Sequence, residues 1–194
     1  MKMFCILVDM IKIITISGML GSGKSTVAKV LAQKLGYGYY STGNAQREIA
    51  KKRGLTTLEL NRLADTDPSI DEEIDGVFKK FNAVPNKGYV IDSRLAFFFV
   101  PSSIKIKLNV DVTEAGRRIF NDTARTGEKK YATVQESVDS LRARRASEVA
   151  RFKRIYHVDI DNDENFDYVL DSTNHTPEEI ADLIIQKFKL KKTL

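Results

Sequence analysis

One short segment constrains this chain more than any other: a glycine-rich run between a predicted strand and a predicted helix. The run is Gly18-Met19-Leu20-Gly21-Ser22-Gly23-Lys24-Ser25, which matches the pattern G-x-x-x-x-G-K-[ST] at every fixed position. The β-branched stretch 11–17 precedes it, and apolar residues at helical spacing follow it up to Gly36. Glycines let the backbone wrap closely around phosphate oxygens, and the N–H groups at a helix start supply positive potential. The sequence therefore predicts a loop that binds the phosphates of a nucleoside triphosphate.

Each part of this P-loop has an expected task. We expect Lys24 to reach the β- and γ-phosphates and Ser25 to bind Mg²⁺. The other residues expected to hold the nucleotide are Gly18, Gly21, Ser22, Gly23 and Thr26. The loop does not identify the phosphoryl acceptor, because GTPases, ATPases, small-molecule kinases and nucleic-acid motors all share it. The chain has only 194 residues and lacks an N-K-x-D pattern, which disfavours a motor and a GTPase.

Predicted strands and helices alternate along the chain. The predicted strands are 11–17, 37–40, 89–92, 104–110 and 166–171. Between the second and third strands, Thr56 with Glu59 and Ser69 with Glu72 form two capping-box patterns, which predict two short helices. A long helix is predicted from Thr133 to about residue 156. The alternation predicts an α/β domain with a parallel sheet and helices on both faces.

Polar residues follow two of these strands. Asp92 ends a predicted strand and Arg94 follows it, so both should lie in the ligand crevice of such a sheet. We expect Asp92 to hold an Mg²⁺-bound water and Arg94 to bind an acceptor phosphate; a salt bridge at the strand end is the alternative. Ser41, Gly43 and Arg47 form a second turn at a helix start, expected to face the same crevice. The alternative there is an ordinary helix cap with a surface arginine.

Positive charge is concentrated in residues 117–154, which hold eleven Lys and Arg against five Asp and Glu, while the whole chain has a net charge of +5. On the long helix Arg144, Glu148 and Arg151 share one face with apolar residues. This pattern favours either a polyanionic ligand or an ion-pair ladder along the helix. Arg125 lies in a predicted loop before this helix. A mobile arginine there can act on a transferring phosphoryl group, the alternative being a solvated charge.

Other features of the sequence indicate the cell compartment of the protein and the residues that have no predicted role. It has one cysteine, Cys5, and no apolar run near the ~20 residues of a membrane span, so we expect a cytoplasmic protein without a membrane partner. Residues 1–10 are interpreted as an N-terminal extension. His157 and His175 have no metal-binding spacing and are interpreted as turn or surface residues.

Several stretches together resemble a known family. They are STGNAQREIAKKRG, LELNRLADTDPSIDEEID and, most specifically, RARRASEVARFKRIYHVDIDN followed by FDYVLDSTNHTPEEIADLI. In order and spacing they resemble the nucleoside monophosphate kinases, specifically the short cytidylate kinases typical of archaea, over residues 11–188. The resemblance implies a single P-loop domain of residues 1–194 with a three-layer fold and a five-stranded parallel sheet. It also implies a helical monophosphate-binding insert at 41–87 and a short lid at 123–133.

The resemblance implies roles for individual residues. The positions that match the monophosphate site are Ser41, Gly43, Arg47, Arg94, Arg144, Glu148 and Arg151. Arg125 matches the lid arginine, and Arg118 would lie near the adenine. The implied catalytic set is Lys24, Asp92, Arg94, Arg125, Arg144 and Arg151. One departure is Leu95–Val100, which stands where the family has a small, glycine-containing stretch. Within it, Phe97–Phe99 is expected to crowd the acceptor region.

The sequence therefore predicts a monomeric enzyme that uses ATP and Mg²⁺ to convert CMP or dCMP to the diphosphate, with no nucleic-acid partner. One alternative is another small kinase, acting on adenylate, uridylate or a phosphorylated metabolite. The other is a P-loop nucleotide-binding protein whose basic segment binds RNA or DNA. The placement of three arginines distinguishes a kinase from a nucleic-acid binder: Arg94, Arg144 and Arg151. A kinase needs them around one pocket, whereas a nucleic-acid binder would spread them over a surface.

Overall fold

A computed structural model describes residues 12–78, 81, 87–122 and 130–192. The predicted N-terminal extension, Arg125 and most of the predicted lid lie outside these residues. The described strands are β1 (Ile13–Gly18), β2 (Gly38–Ser41), β3 (Tyr89–Asp92), β4 (Ile104–Asn109) and β5 (Tyr168–Asp171). The described α-helices are α1 (Lys24–Leu35), α2 (Thr42–Lys52), α3 (Thr57–Ala64), α4 (Pro68–Asp75), α5 (Ala96–Phe99), α6 (Val112–Asn121), α7 (Val134–Tyr156) and α8 (Pro177–Phe188).

The five strands form one parallel sheet in the order β2-β3-β1-β4-β5, which confirms the predicted fold class. All six residues of β1 are buried, because helices cover both faces of the sheet. On one face Ile14 packs with residues of α1 and α8. On the other, Ile13 packs with α5 and with Phe78. The carboxyl ends of all five strands meet at one edge, where the predicted ligand residues lie.

Local capping explains where most helices begin. Thr56 with Glu59 forms the predicted capping box at α3. The predicted box of Ser69 with Glu72 is wrong, because α4 begins two residues earlier. There the Asp67 carboxylate accepts a hydrogen bond of 3.0 Å from the backbone N–H of Ser69. The first helical residue is Pro68, which has no backbone N–H. Because the N–H groups of a first helical turn have no partner within the helix, the proline loses no hydrogen bond there.

Helices α2, α3 and α4 form a helical segment, residues 42–75, between β2 and β3. The segment has its own apolar cluster, whose members are Ile49, Ala50, Leu60, Ala64, Ile70 and Ile74. Such a cluster lets the three helices pack on one another beside the sheet rather than on it. Among the described residues, none of the helices has the length and apolar character to cross a membrane.

Candidate active site

A polar cleft of about 460 Å³ lies at the carboxyl ends of β1, β2 and β3. The residues that line it are Leu20, Lys24, Ser25, Ser41, Thr42, Gly43, Gln46, Arg47, Thr57, Asp92, Ser93, Arg94 and Arg144. The structure therefore brings the P-loop together with most of the residues predicted for the acceptor. The sequence analysis missed Gln46 and Thr57, which are buried polar residues. Their positions on α2 and α3 carry no motif, so only their packing reveals them.

The P-loop has the geometry of a phosphate cradle. Gly21 and Gly23 have φ angles of +84° and +78°, which disfavour other residues, and a Cβ on Gly21 would lie 2.8 Å from the Cβ of Ala115. Ser22 Oγ is buried and has no hydrogen-bond partner among the described residues. A buried hydroxyl without a partner is costly, so it fits a site that a phosphate oxygen completes. Nζ of Lys24 donates a 3.3 Å hydrogen bond to the carbonyl oxygen of Met19, against the loop itself.

Asp92 is a buried carboxylate surrounded by hydroxyl groups. Its Oδ2 accepts hydrogen bonds from Ser25 Oγ at 2.5 Å, Ser41 Oγ at 3.2 Å and Tyr39 OH at 3.4 Å. Within the described part of the chain Asp92 has no ion-pair partner, so the alternative of a salt bridge with Arg94 is not observed. A carboxylate beside a P-loop serine supplies the hard oxygen ligands that Mg²⁺ or its bound water prefers.

Arg94, Glu148 and Arg144 form a charged triad on the other side of the cleft. Nε of Arg94 lies 2.7 Å from Oε2 of Glu148, although the two are not aligned as a hydrogen bond. Nε of Arg144 donates to Oε1 of Glu148 at 3.1 Å. Burial would raise the pKa of Glu148, but the charges of Arg94 and Arg144 hold it below its ordinary value. Both guanidinium groups therefore contact the one carboxylate of Glu148, and both arginines line the cleft.

Arg151 lies elsewhere, and the structure does not bring it to the cleft. Its Nη1 donates to the carbonyl oxygen of Asn61 at 2.9 Å and to Oδ1 of Asp65 at 3.0 Å. Its Nε lies 3.2 Å from Oδ2 of Asp71. These contacts join α7 to α3 and α4. They also replace the predicted ladder, because Arg151 faces Asp65 and Asp71 rather than Glu148.

A separate cavity of about 520 Å³ lies on the far side of the P-loop. Its lining residues are Ser22, Gly23, Thr26, Val27, Arg118, Ser172, His175, Pro177 and Ile180. Arg118 holds the loop after β5 in place by donating to the carbonyl oxygens of Ser172 at 2.8 Å and Thr173 at 2.9 Å. Arg118 and Thr26 therefore line the same cavity as the P-loop residues Ser22 and Gly23, and their contact with the nucleotide stays a prediction. The sequence analysis did not place His175 beside this cavity, because His175 carries no recognisable motif.

Phe97–Phe99 does not crowd the acceptor region, so that prediction is wrong. The ring of Phe97 packs on Phe166, with centroids 4.6 Å apart, and Phe99 stacks on Phe78 at 5.4 Å. Phe98 is 42% exposed. None of the three lines the cleft. The short helix α5 directs them into the core and to the surface, away from Arg94.

Comparisons with known proteins show which family this chain resembles. Residues 13–174 match the model of the cytidylate kinase-like family. The chain is 38% identical over 173 residues to the cytidylate kinase of Aeropyrum pernix, which covers 88% of this chain and 95% of that protein. It is 35% identical over 180 residues to the S-adenosylmethionine-dependent nucleotide dehydratase of Lacinutrix mariniflava, covering 91% of this chain. The chain spans 36% of the length of that dehydratase.

Solved structures show the same fold at lower identity. The shikimate kinase of Acinetobacter baumannii, determined in complex with shikimate, aligns with a TM-score of 0.60 and 18% identity. The alignment covers 93% of this chain and 94% of that one. Because the family model matches most of the chain and a relative of nearly equal length is 38% identical, this chain belongs to the cytidylate kinase-like family of nucleotide kinases.

Proposed function

We propose that this chain transfers the γ-phosphoryl group of ATP to CMP or dCMP, giving ADP and CDP or dCDP. One observation carries the proposal: Lys24 and Ser25 of the P-loop and the acceptor-side Arg94 and Arg144 line a single cleft. Holding donor and acceptor in one cleft supplies most of what phosphoryl transfer requires, namely positioning and charge neutralisation. Relatives named cytidylate kinases support cytidylate as the acceptor.

On the donor side, P-loop residues hold the triphosphate. Lys24 leaves the carbonyl oxygen of Met19 to bind the β- and γ-phosphates, and Ser22 Oγ donates to a phosphate oxygen. Ser25 and Asp92, whose side chains are hydrogen-bonded to each other, would hold Mg²⁺. When bound, Mg²⁺ would neutralise charge on the phosphates. Arg118, Thr26 and the β5–α8 loop enclose the nucleoside.

On the acceptor side, Arg94 and Arg144 bind the monophosphate, and Glu148 fixes the orientation of both guanidinium groups. Ser41, Gly43 and Arg47 form the opposite wall. One oxygen of the acceptor phosphate forms a bond to the γ-phosphorus while the bond from that phosphorus to the oxygen of ADP breaks. This transfer requires no covalent enzyme intermediate. Arg125 stays the predicted lid arginine and lies outside the described residues.

The nucleic-acid alternative is disfavoured by where the basic side chains lie. Arg94 and Arg144 converge on the cleft, and Arg151 is buried among Asp65 and Asp71. A nucleic-acid binder would instead present them along an open surface. The homologous segment in a protein named as a nucleotide dehydratase also supports a nucleotide acceptor over another metabolite.

A panel of acceptors tests the proposal. CMP, dCMP, UMP, AMP, GMP and shikimate are each incubated with enzyme, ATP and Mg²⁺, and ADP formation is followed by a coupled assay. We expect CMP or dCMP to exceed the others by at least about tenfold in kcat/KM, or ~1.4 kcal/mol. Chelation of Mg²⁺ should abolish the activity. A higher kcat/KM with AMP, UMP or shikimate would contradict the assignment of cytidylate.

A further inference from the structure

A side cavity that is partly open to solvent adjoins the cleft beside the helical segment. It shares Thr42, Gln46, Ser93 and Arg94 with the cleft. Its other lining residues are Asp71, Ile74, Asp75, Leu95 and Phe152. Three of these are apolar, and two are carboxylic acids of α4. A flat ring attached to a ligand that is anchored at Arg94 would find apolar walls and acidic groups here.

The two acidic residues differ in their partners. Asp71 lies 3.2 Å from Nε of Arg151, so a cation already compensates it. Asp75 has one described hydrogen bond, in which the hydroxyl of Tyr156 donates to its Oδ2 at 2.7 Å. Among the described residues no cation forms an ion pair with Asp75. A carboxyl group that lines a cavity with a single neutral partner keeps hydrogen-bonding capacity for a ligand.

We propose that Asp75 selects the acceptor base by accepting a hydrogen bond from an exocyclic amino group, so that the side cavity holds an amino-substituted base such as cytosine. This inference rests on the proposed function, because the base enters the cavity only if the phosphate binds at Arg94. The ionised carboxylate accepts from an amino group but repels a keto oxygen at the same position. It therefore favours cytosine over uracil, which carries oxygen where cytosine carries the amino group.

The surroundings of Asp75 make this selection depend on pH. Burial raises the pKa of Asp75 to about 7, and the hydrogen bond from Tyr156 opposes that rise. The other charged or titratable groups that face it are Asp71, Arg151, Tyr40 and Arg94. The protonated acid can donate to a keto oxygen, whereas the carboxylate cannot. Discrimination against uracil should therefore increase as the pH rises through about 7.

The test compares CMP with UMP in the wild type and in Asp75→Asn. The asparagine has nearly the same shape, but its amide can donate to a keto oxygen at any pH. We expect the ratio of kcat/KM for CMP to that for UMP to fall at least about tenfold in the variant at pH 8. The ratio should rise between pH 6 and pH 8 in the wild type and stay flat in the variant. The KM for ATP should not change. Asp139→Asn, an exposed position on α7, is the control and should keep the wild-type ratio.

Tyr156→Phe separates recognition from a structural role. Because the tyrosine hydroxyl lowers the pKa of Asp75, its removal should move the midpoint of the pH profile of the ratio to higher pH. A purely structural Asp75 predicts instead equal losses with both nucleotides and an unmoved ratio, which would overturn the inference. If CMP is phosphorylated but the ratio in Asp75→Asn is unchanged, only the role of Asp75 fails. If no nucleoside monophosphate is phosphorylated by the wild type, the proposed function fails first.

Discussion

Replacing Arg151 with methionine tests the ion-pair network that joins α7 to the helical segment. The Arg151 side chain is 3% exposed and that of Asp71 is 5% exposed, so the methionine leaves a buried carboxylate without its cation. Breaking a buried pair from one side costs about 3–5 kcal/mol. The Asp65 side chain is 41% exposed, so water replaces Arg151 around its carboxylate. The loss of the Arg151–Asp65 ion pair therefore adds little to the destabilisation. We therefore expect the free energy of unfolding to fall by about 3 kcal/mol, the lower end of that range.

Urea unfolding followed by circular dichroism measures this loss. With a slope of about 2 kcal/mol per molar urea, a loss of ~3 kcal/mol lowers the midpoint by roughly 1.5 M. The matched control is Arg142→Met on the same helix. Its pair with Asp139 is 3.7 Å long and about 60% exposed on both sides, so it should change stability by less than about 0.5 kcal/mol. Equal midpoints for the two variants would refute the reasoning.

The pH dependence of the stability lost in Arg151→Met gives a second check. Burial raises the pKa of Asp71 and Arg151 opposes that rise, so the pKa should rise further in Arg151→Met. A group whose pKa is higher in the folded state than in the unfolded state binds its proton more tightly when folded, so stability falls as pH rises through the folded pKa. The variant should therefore lose less stability at pH 5 than at pH 8. A raised acceptor KM with an unchanged urea midpoint would instead support the family-based prediction that Arg151 contacts the acceptor.

Three further predictions follow from the site. Lys24→Ala should abolish turnover while the circular dichroism spectrum stays unchanged, because its ammonium serves phosphate charge; near-normal kcat would exclude the P-loop from the reaction. Arg144→Ala should lower kcat/KM for CMP about ten- to hundredfold with little change in the KM for ATP, since charged hydrogen bonds contribute roughly 1.5–3 kcal/mol. Arg145→Ala, whose partner is Asp161 away from the cleft, is its control and should keep normal acceptor kinetics. Finally, because the pKa of Asp75 is raised to about 7, the free energy of unfolding should fall between pH 5 and pH 7, and Asp75→Asn should reduce this slope in urea titrations at each pH.

The sequence by itself determined the features that neighbouring residues specify. The P-loop needs only its own glycines, Lys24 and Ser25, together with the strand before it and the helix after it. The five strands follow from short apolar runs, and the caps of α3 and α8 follow from residues three positions apart. The parallel sheet then places Asp92 and Arg94 beside the P-loop, because the carboxyl ends of its strands share one edge.

Only the tertiary structure decided which side chains meet across the chain. Arg151 shares a helix face with Glu148, yet it pairs with Asp65 and Asp71, which lie 86 and 80 positions earlier in the chain. The direction of the Phe97–Phe99 side chains depends on how α5 packs. Asp75 lines the side cavity because α4 packs against α7, where Tyr156 contacts it. Spacing along a helix fixes which residues share a face. The partner of that face depends on packing between distant segments, and a charged face accepts a protein partner or a ligand equally well.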